Sequence, residues 1–348
     1  YVSAGVLRLE QHVRLLPQVL QTLRDLFPDI SEAALAATRE RLQREFSYYG
    51  PDMAAGLIPN LIASRLANRL DLHGPAYTVD AACASSLLAV EQACASLARG
   101  ETDMMLVGGA HLTHDLTFWA TFCQLGALSR SGGIRPLSAD ADGILAGEGV
   151  GMAVLKRLDD ALADGDRIYA VIDGIAGSSD GKGLGLTAPR KEGQKRALER
   201  AYWQAGVLPA EIGLVEAHGT GTVVGDRTEL QTLTEVFAAG GALPGSAGLG
   251  SVKSQIGHTK CAAGVAGFIK VAKALHHRVL PATQQITAPN AWHRRDSSPF
   301  RLDRDAMPWL TPAGGVPARA AVSAFGFGGA NFHTVLSAYP AHQSPVGA

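Results

Sequence analysis

The stretch VDAACASSLLAV, residues 79–90, predicts a turn from an extended segment into a helix, with a cysteine at the junction. Cys83 stands at that junction among alanines and serines, with no bulky residue beside it. A tight turn from a strand into a helix exposes its corner residue and directs free backbone N–H groups toward it. The positive end of the helix dipole favours a thiolate, the nucleophilic form of cysteine. The stretch predicts a reactive thiol, and the alternative is a small, buried and inert cysteine.

Outward from this turn, apolar runs alternate with helical patterns. The first series is a helix at 58–70, a strand at 76–80, a helix at 84–99, and strands at 104–110 and 151–158. The second series is a strand at 168–175, a helix at 192–205, a strand at 212–219, a helix at 228–237, a strand at 249–254, a helix at 262–275, and strands at 318–326 and 331–337. The repeated strand–helix–strand order predicts a layered, pseudo-duplicated α/β architecture.

This pattern divides the chain into an N-terminal half at 1–160, a C-terminal half at 161–338 and a linker stub at 339–348. The first fifty residues differ from the rest, because apolar side chains recur at helical spacing from residue 11 to residue 47. Ser31 is a suitable N-cap, and Pro28 closes the segment before it. A helical excursion is therefore expected ahead of the α/β region.

Composition excludes several classes of protein. The 348 residues carry a formal net charge of −1, which argues against a partner that is a nucleic acid or an anionic membrane surface. No apolar run approaches the length of a membrane helix, and the N-terminus has no secretory signal. The irregular spacing of the cysteines favours a reducing, cytoplasmic setting. The cysteines form no CxxC pair, which argues against a zinc site or a disulfide framework, and no metal is expected. Cys94 and Cys123 are expected to be buried and inert, and Cys261 to be a small packing residue.

Two histidines lie where apolar strands end, in the glycine-rich segments EAHGTGT at 216–222 and SVKSQIGHTKCAAG at 251–264. Loops at strand ends gather ligand-binding groups in α/β folds. The glycines beside His218 and His258 allow a substrate to come close, and Thr220 and Thr222 offer hydroxyl groups. One such histidine alone is more often structural, but two of them together with Cys83 favour a catalytic site.

A third glycine-rich segment, AVSAFGFGGANFH at 321–333, follows an apolar strand. Gly326, Gly328 and Gly329 surround Phe327 in a turn with accessible backbone N–H groups. Such a turn can serve as an oxyanion hole or as a gate. Taken alone, it is also what an ordinary hairpin loop looks like.

Together these segments resemble the β-ketoacyl synthase (ketosynthase) family of the thiolase superfamily. The resemblance runs from about residue 56 to residue 336 and rests on four motifs in the family's order: VDAACASS, EAHGTGT, VKSQIGH and GFGGANFH. The segment at 128–151, LSRSGGIRPLSADADGILAGEGVG, is similar to ketosynthases of iterative polyketide and polyunsaturated-fatty-acid synthases. The resemblance implies a thiolase-like fold with two αβαβα halves in a five-layer arrangement.

The resemblance also implies an acyltransferase that performs a decarboxylative Claisen condensation. Cys83 would accept an acyl chain from an acyl carrier protein as a thioester. The backbone N–H groups of Cys83 and Phe327, with Gly326 and Gly328 beside them, would form the oxyanion hole and gate. His218 and His258 would donate hydrogen bonds to the carbonyl of a malonyl-type extender as it loses CO2.

Supporting roles follow from the same resemblance. Lys253 and Glu148 match a family lysine and a buried glutamate, and we expect them to pair, since an unpaired buried charge is costly. Thr220 and Thr222 would bind the phosphopantetheine arm that the carrier protein delivers, and no tightly bound cofactor is implied. Family members are homodimers, which makes a homodimer the expected assembly.

The sequence departs from the family at its N-terminus. The family opens with an apolar strand and a glycine turn that this sequence lacks, so we expect a truncated domain with an unpaired sheet edge. Three alternatives stay open beside the condensing enzyme: thiolase-type chemistry with a second catalytic cysteine, a non-elongating acyl-binding module, and an inactive fragment. None of the other cysteines falls at a matching motif, which disfavours the thiolase alternative.

Overall fold

The computed structural model describes residues 10–46, 58–112, 116–183, 185, 187–294, 296–310 and 316–339. Most of the predicted linker stub therefore lies outside the described residues. The chain forms two compact units, one comprising Tyr1–Thr78 and Thr113–Phe118, the other Val79–Leu112 and Trp119–Ala348. No helix in the described ranges is long and apolar enough to cross a bilayer.

The first unit is helical, as the spacing of its apolar residues predicts. A π-helical turn, Gln11–Leu15, leads into α1 (Leu16–Leu26), which is followed by α2 (Glu32–Glu45) and α3 (Asn60–Leu70). Ser31 is the N-cap of α2, and its hydroxyl accepts the Ala34 N–H at 3.1 Å. Three leucines bury the contact between α1 and α2: Leu16, Leu20 and Leu35.

The second unit carries the α/β architecture. Its helices are α4 (Ser85–Ala98), α5 (Leu116–Gln124, whose first turn belongs to the first unit), α6 (Leu158–Ala163), α7 (Lys191–Ala205), α8 (Val223–Ala239), α9 (Lys253–Ile256) and α10 (Ala263–His277). Its strands are β1 (Met104–His111), β2 (Gly149–Lys156), β3 (Val171–Ser179), β4 (Ile212–Glu216), β5 (Ala247–Gly250), β6 (Val279–Leu280), β7 (Phe300–Arg301), β8 (Met307–Pro308), β9 (Arg319–Gly326) and β10 (Ala330–Ser337).

The central sheet has the strand order β3-β10-β9-β4-β5-β7. β3, β10 and β9 are antiparallel neighbours, whereas β9, β4, β5 and β7 run parallel to one another. β1 and β2 form a separate antiparallel pair, and β6 pairs with β8. Because β4 and β5 are parallel neighbours, the loops that follow them, which carry the two histidine motifs, leave the sheet at the same edge.

Both faces of the central sheet are covered by helices. Along β9, Ala320, Val322 and Ala324 join a core cluster with α4 and α10, while Ala321 and Phe325 join a second cluster with α7 and α8. This alternation follows from the two-residue period of a strand. The predicted layered α/β architecture is thereby confirmed for this unit.

The turn that carries Cys83 differs from the prediction on one side. Residues 76–80 lie in irregular backbone rather than in a strand, because within the described ranges they pair with no other strand. A short 3₁₀ turn, Ala82–Ala84, leads directly into α4. Ala82 has a φ of 50°, in the left-handed region that alanine seldom adopts. The Asp80 carboxylate accepts the Ala82 N–H at 2.8 Å and holds this conformation.

We predict that Gly326→Ala destabilises the second unit, because a Cβ there would lie 2.1 Å from the Ala81 carbonyl oxygen. Either the end of β9 or the Cys83 turn must then move, and such overpacking typically costs about 1–3 kcal/mol of the free energy of unfolding. Denaturant unfolding measures the loss. The matched control is Gly149→Ala, also in a strand, whose added Cβ would make only an ordinary contact of 3.5 Å with Thr259. Equal stability of the two variants would contradict the close approach.

Candidate active site

A cavity of about 360 Å³ lies within the second unit and gathers the three predicted catalytic side chains. Predicted site residues that line it are Cys83, His218, Thr220, Thr222, His258, Gly326 and Phe327. Lys253, Glu148 and Gly328 are not among its lining residues. Sequence motifs that are far apart along the chain therefore converge on one space.

Cys83 is buried, with 5% of its surface exposed. Burial raises the pKa of its thiol, and this outweighs the lowering effects of Lys260, of Lys253 and of the backbone N–H groups of Phe327 and Cys83 itself. The expectation of a resting thiolate at a helix start is therefore wrong. Cys83 precedes α4 within the 3₁₀ turn, and removal of the sulfur from water costs more than the helix end returns.

The Phe327 N–H donates to the Cys83 sulfur and lowers the pKa of that thiol. Two backbone N–H groups, those of Phe327 and Cys83, thus face the same sulfur. An oxyanion hole needs these two donors directed at the carbonyl oxygen of an acyl group on that atom, so this role stays a prediction.

The His218 loop is fixed from behind by α8. The two oxygens of the Glu229 carboxylate accept the His218 and Gly219 N–H groups, each at 2.7 Å. One turn earlier, Asp226 accepts the Gly221 N–H at 3.1 Å and the Leu137 N–H at 2.7 Å. Burial raises the pKa of Asp226 to about 6 and that of Glu229 to about 7. These buried carboxylates hold the loop through its backbone and leave the imidazole to the cavity.

The His258 loop is fixed by the segment around Gly147. The His258 N–H donates to the Leu145 carbonyl at 2.7 Å, and the His258 carbonyl accepts the Gly147 N–H at 3.1 Å. On the ring, Nδ1 accepts the Lys260 backbone N–H at 3.1 Å. An Nδ1 that accepts is unprotonated, so the neutral ring carries its proton on Nε2 and can donate there.

The two imidazoles lie edge to face, with ring centroids 5.5 Å apart and planes at 82°. Burial lowers the pKa of both rings well below the ordinary value, and the positive charges of Lys253 and Lys260 lower it further. Both histidines are therefore neutral at neutral pH. Together they offer N–H donors rather than cations to a group in the cavity.

Lys253 is buried as predicted, with 3% of its surface exposed, but the prediction of a buried Glu148 is wrong. Glu148 is exposed, and the buried carboxylates whose charges attract Lys253 are Glu216 and Glu229. Burial lowers the pKa of Lys253 against these attractions. Gly147, beside Glu148, contacts the His258 loop through its backbone N–H.

Phe327, the predicted gate residue, lies in the turn between β9 and β10. Phe327 is 41% exposed, and its ring stacks on Phe122 with centroids 6.4 Å apart. Gly328 and Gly329 have φ values of 88° and 80°, which side-chain-bearing residues rarely adopt. The Gly329 carbonyl accepts the Asp180 N–H at 3.0 Å.

Thr222 and Thr220 both line the cavity, but their hydroxyls also have local partners. The Thr222 hydroxyl accepts the Gly225 N–H at 3.2 Å and caps the start of α8. The two threonine hydroxyl oxygens are 3.0 Å apart. Thr222 therefore serves as a helix cap, and the expected contact of the two threonines with a ligand stays a prediction.

The remaining cysteines differ in environment. Burial raises the pKa of Cys94 and that of Cys261 to about 11, in keeping with inert packing residues. Cys123 is exposed, so the expectation that it is buried is wrong.

Among the residues that sequence reasoning missed are Asp226 and Glu229, which hold the His218 loop, and Lys260, which lines the cavity. The first two lie one helical turn apart in GDRTELQTL, where acidic side chains fall on the buried side of α8. Their spacing behind a glycine-rich loop was the available signal. Lys260, two positions after His258, carried no such signal, because a lysine between threonine and cysteine looks solvated.

Comparison with known proteins identifies the family independently. Residues 31–161 match the family described as "Beta-ketoacyl synthase, N-terminal domain", and residues 169–287 match "Beta-ketoacyl synthase, C-terminal domain". One chain of a polyunsaturated fatty acid synthase from Thraustochytrium sp. is 44% identical over 313 residues, which cover 88% of this chain and 11% of that protein. One chain of a phenolphthiocerol/phthiocerol polyketide synthase from Mycobacterium tuberculosis is 43% identical over 277 residues, covering 80% of this chain and 15% of that protein.

Solved structures give the same result. The ketosynthase from module 6 of the bacillaene synthase of Bacillus subtilis 168 is 41% identical, with a TM-score of 0.80, over 82% of this chain and 51% of that one. An oxazolomycin ketosynthase domain of Streptomyces albus is 33% identical, also with a TM-score of 0.80, over 89% of this chain and 53% of that one.

The chain thus spans about half of these solved ketosynthases and a small part of the curated relatives it matches. Its thiolase-like α/β fold, expected from the motifs, is confirmed by the structural likeness. The order of the motifs, the buried Cys–His–His cavity and these relatives agree, and the chain belongs to the β-ketoacyl synthase family.

Proposed function

We propose that the chain is a ketosynthase domain that catalyses decarboxylative Claisen condensation in polyketide or fatty-acid biosynthesis. The single observation that carries the proposal is the cavity in which Cys83 meets two neutral imidazoles. A thiol supplies a nucleophile, and neutral N–H donors stabilise a developing oxyanion.

The first step is acyl loading. The Cys83 sulfur attacks the thioester carbonyl of an acyl chain carried on phosphopantetheine, and the carrier thiol leaves with the proton that Cys83 loses. The Phe327 and Cys83 N–H groups receive the negative charge on the carbonyl oxygen in the tetrahedral intermediate, and loss of one such donor typically costs about 2.7–4 kcal/mol of barrier.

The second step is extension. A malonyl-type thioester enters, its carboxylate leaves as CO2, and the electron pair of the broken C–C bond forms an enolate. His258 donates from Nε2 to the enolate oxygen, and His218 donates beside it. The enolate carbon then attacks the acyl carbonyl on Cys83, which breaks the C–S bond and leaves a β-ketoacyl chain on the carrier.

The proposal also includes partners, an assembly and a location. We infer an acyl carrier protein as the source of both thioesters, with Thr220 and Thr222 contacting the pantetheine arm, and no tightly bound cofactor. We also infer a homodimer in the cytoplasm and a two-half division at residue 160. Support for the homodimer, the cytoplasmic location and the division at residue 160 comes from the family resemblance alone.

One prediction from this proposal concerns His258. His258→Ala should still accept an acyl chain on Cys83 but should release CO2 from a malonyl-carrier about 10²–10³-fold more slowly, because one oxyanion donor is lost. Trapping of ¹⁴CO2 from labelled malonyl-carrier measures this rate. The matched control is His277→Ala, an exposed histidine at the end of α10 that should leave the rate unchanged. Unchanged CO2 release in His258→Ala would remove His258 from the mechanism.

Another prediction from this proposal concerns the site of acylation. Cys83→Ala should abolish the acyl adduct, because the sulfur is the proposed acceptor. Peptide mass spectrometry after incubation with an acyl-carrier locates the adduct. Cys123→Ser removes an exposed cysteine outside the proposed site and should load normally. An adduct that persists in Cys83→Ala would contradict the assignment, and a wild-type chain that never loads would favour the inactive-fragment alternative.

A further inference from the structure

A lysine lies inside the proposed acyl cavity and has no role in the two steps of loading and extension. Lys260 lines the same cavity as Cys83, His218 and His258, and none of its surface is exposed. It sits in a 3₁₀ turn, Lys260–Ala262, with a φ of 49°. A non-glycine residue in the left-handed region costs about 1–2 kcal/mol, and such strain clusters at functional sites.

The Lys260 ammonium makes an aromatic contact. Lys260 Nζ lies 4.1 Å from the centroid of the Phe122 ring, within the range of a cation–π interaction. Phe122 in turn stacks on Phe327, whose backbone N–H faces the Cys83 sulfur. The cation is therefore held on the wall of the cavity that adjoins the gate and the nucleophile.

Several other groups face this region, and their charges differ. His218 and His258 are neutral, and burial raises the pKa of the Cys261 thiol to about 11, so none of the three supplies a charge at neutral pH. Burial lowers the pKa of Lys253, while the Glu216 and Glu229 carboxylates raise it. Burial lowers the pKa of Lys260 to about 8, while a thiolate at Cys83 acts in the opposite direction.

We propose that Lys260 is a positioning residue for acyl loading, whose buried ammonium stabilises the Cys83 thiolate as it forms. The inference rests on the proposed role of Cys83 as nucleophile. No external acid or base is consumed, since the proton that leaves Cys83 ends on the departing carrier thiol. In a buried cavity, the cation supplies a full charge opposite to that of the attacking sulfur, which the helix start does not.

The test is the pH dependence of Cys83 alkylation by iodoacetamide, in which the thiolate forms a C–S bond and iodide leaves. Lys260→Met should raise the apparent pKa of Cys83 by about one unit or more, so that alkylation at neutral pH slows about tenfold or more. Lys260→Arg retains the charge and should restore most of the wild-type profile. Lys195→Met, which removes a surface lysine that pairs with Glu199, should leave the profile unchanged.

Each outcome bears on a separate claim. If wild-type Cys83 is alkylated no faster than Cys94, the proposed nucleophile itself is wrong. If wild-type Cys83 reacts and Lys260→Met shows the same pH profile, only the role of Lys260 is wrong. Lys260→Gln is a second uncharged variant in case Lys260→Met does not fold, and it should show the same upward shift.

Discussion

One hydrogen bond organises the chemistry of the site: the Lys260 backbone N–H donates to Nδ1 of His258 at 3.1 Å. This bond leaves the ring proton on Nε2, so a buried and neutral imidazole becomes a donor of known direction. The loop contacts of His258 with Leu145 and Gly147 then fix where that donor lies. The proposed reaction depends on this arrangement, because the neutral ring has only one N–H group to donate. That group must lie on the nitrogen that faces the enolate oxygen.

Burial is the physical cause of the site's electrostatics. It keeps both imidazoles neutral and raises the pKa of the Cys83 thiol, so the burial that keeps the N–H donors uncharged also disfavours the nucleophilic thiolate. Nearby lysine charges and two backbone N–H groups oppose that penalty. The site therefore combines neutral N–H donors with a thiol whose ionisation is costly. The role we propose for Lys260 is to offset part of that cost.

Much of this was accessible from the sequence, because hydrophobic period and glycine-rich strand ends report on local structure. The alternation along β9 and the cap at Ser31 are examples, as is the convergence of Cys83 with the two histidines. Long-range partners were not accessible. The strand expected at 76–80 needs a neighbour that its own pattern cannot supply, and the choice of Glu216 and Glu229 over Glu148 beside Lys253 depends on which side chains the helices and sheet bury.

The most direct measurement of the central claim is a single-turnover experiment that follows carbon through the cavity. The chain is first acylated from an acyl-carrier and freed of excess donor, and ¹³C-labelled malonyl-carrier is then added and all thioesters are analysed by mass spectrometry. The account predicts that the acyl group leaves Cys83 as a β-ketoacyl-carrier longer by two labelled carbons, with one CO2 released per chain. Acyl groups that remain on Cys83 while malonyl-carrier stays intact would contradict it.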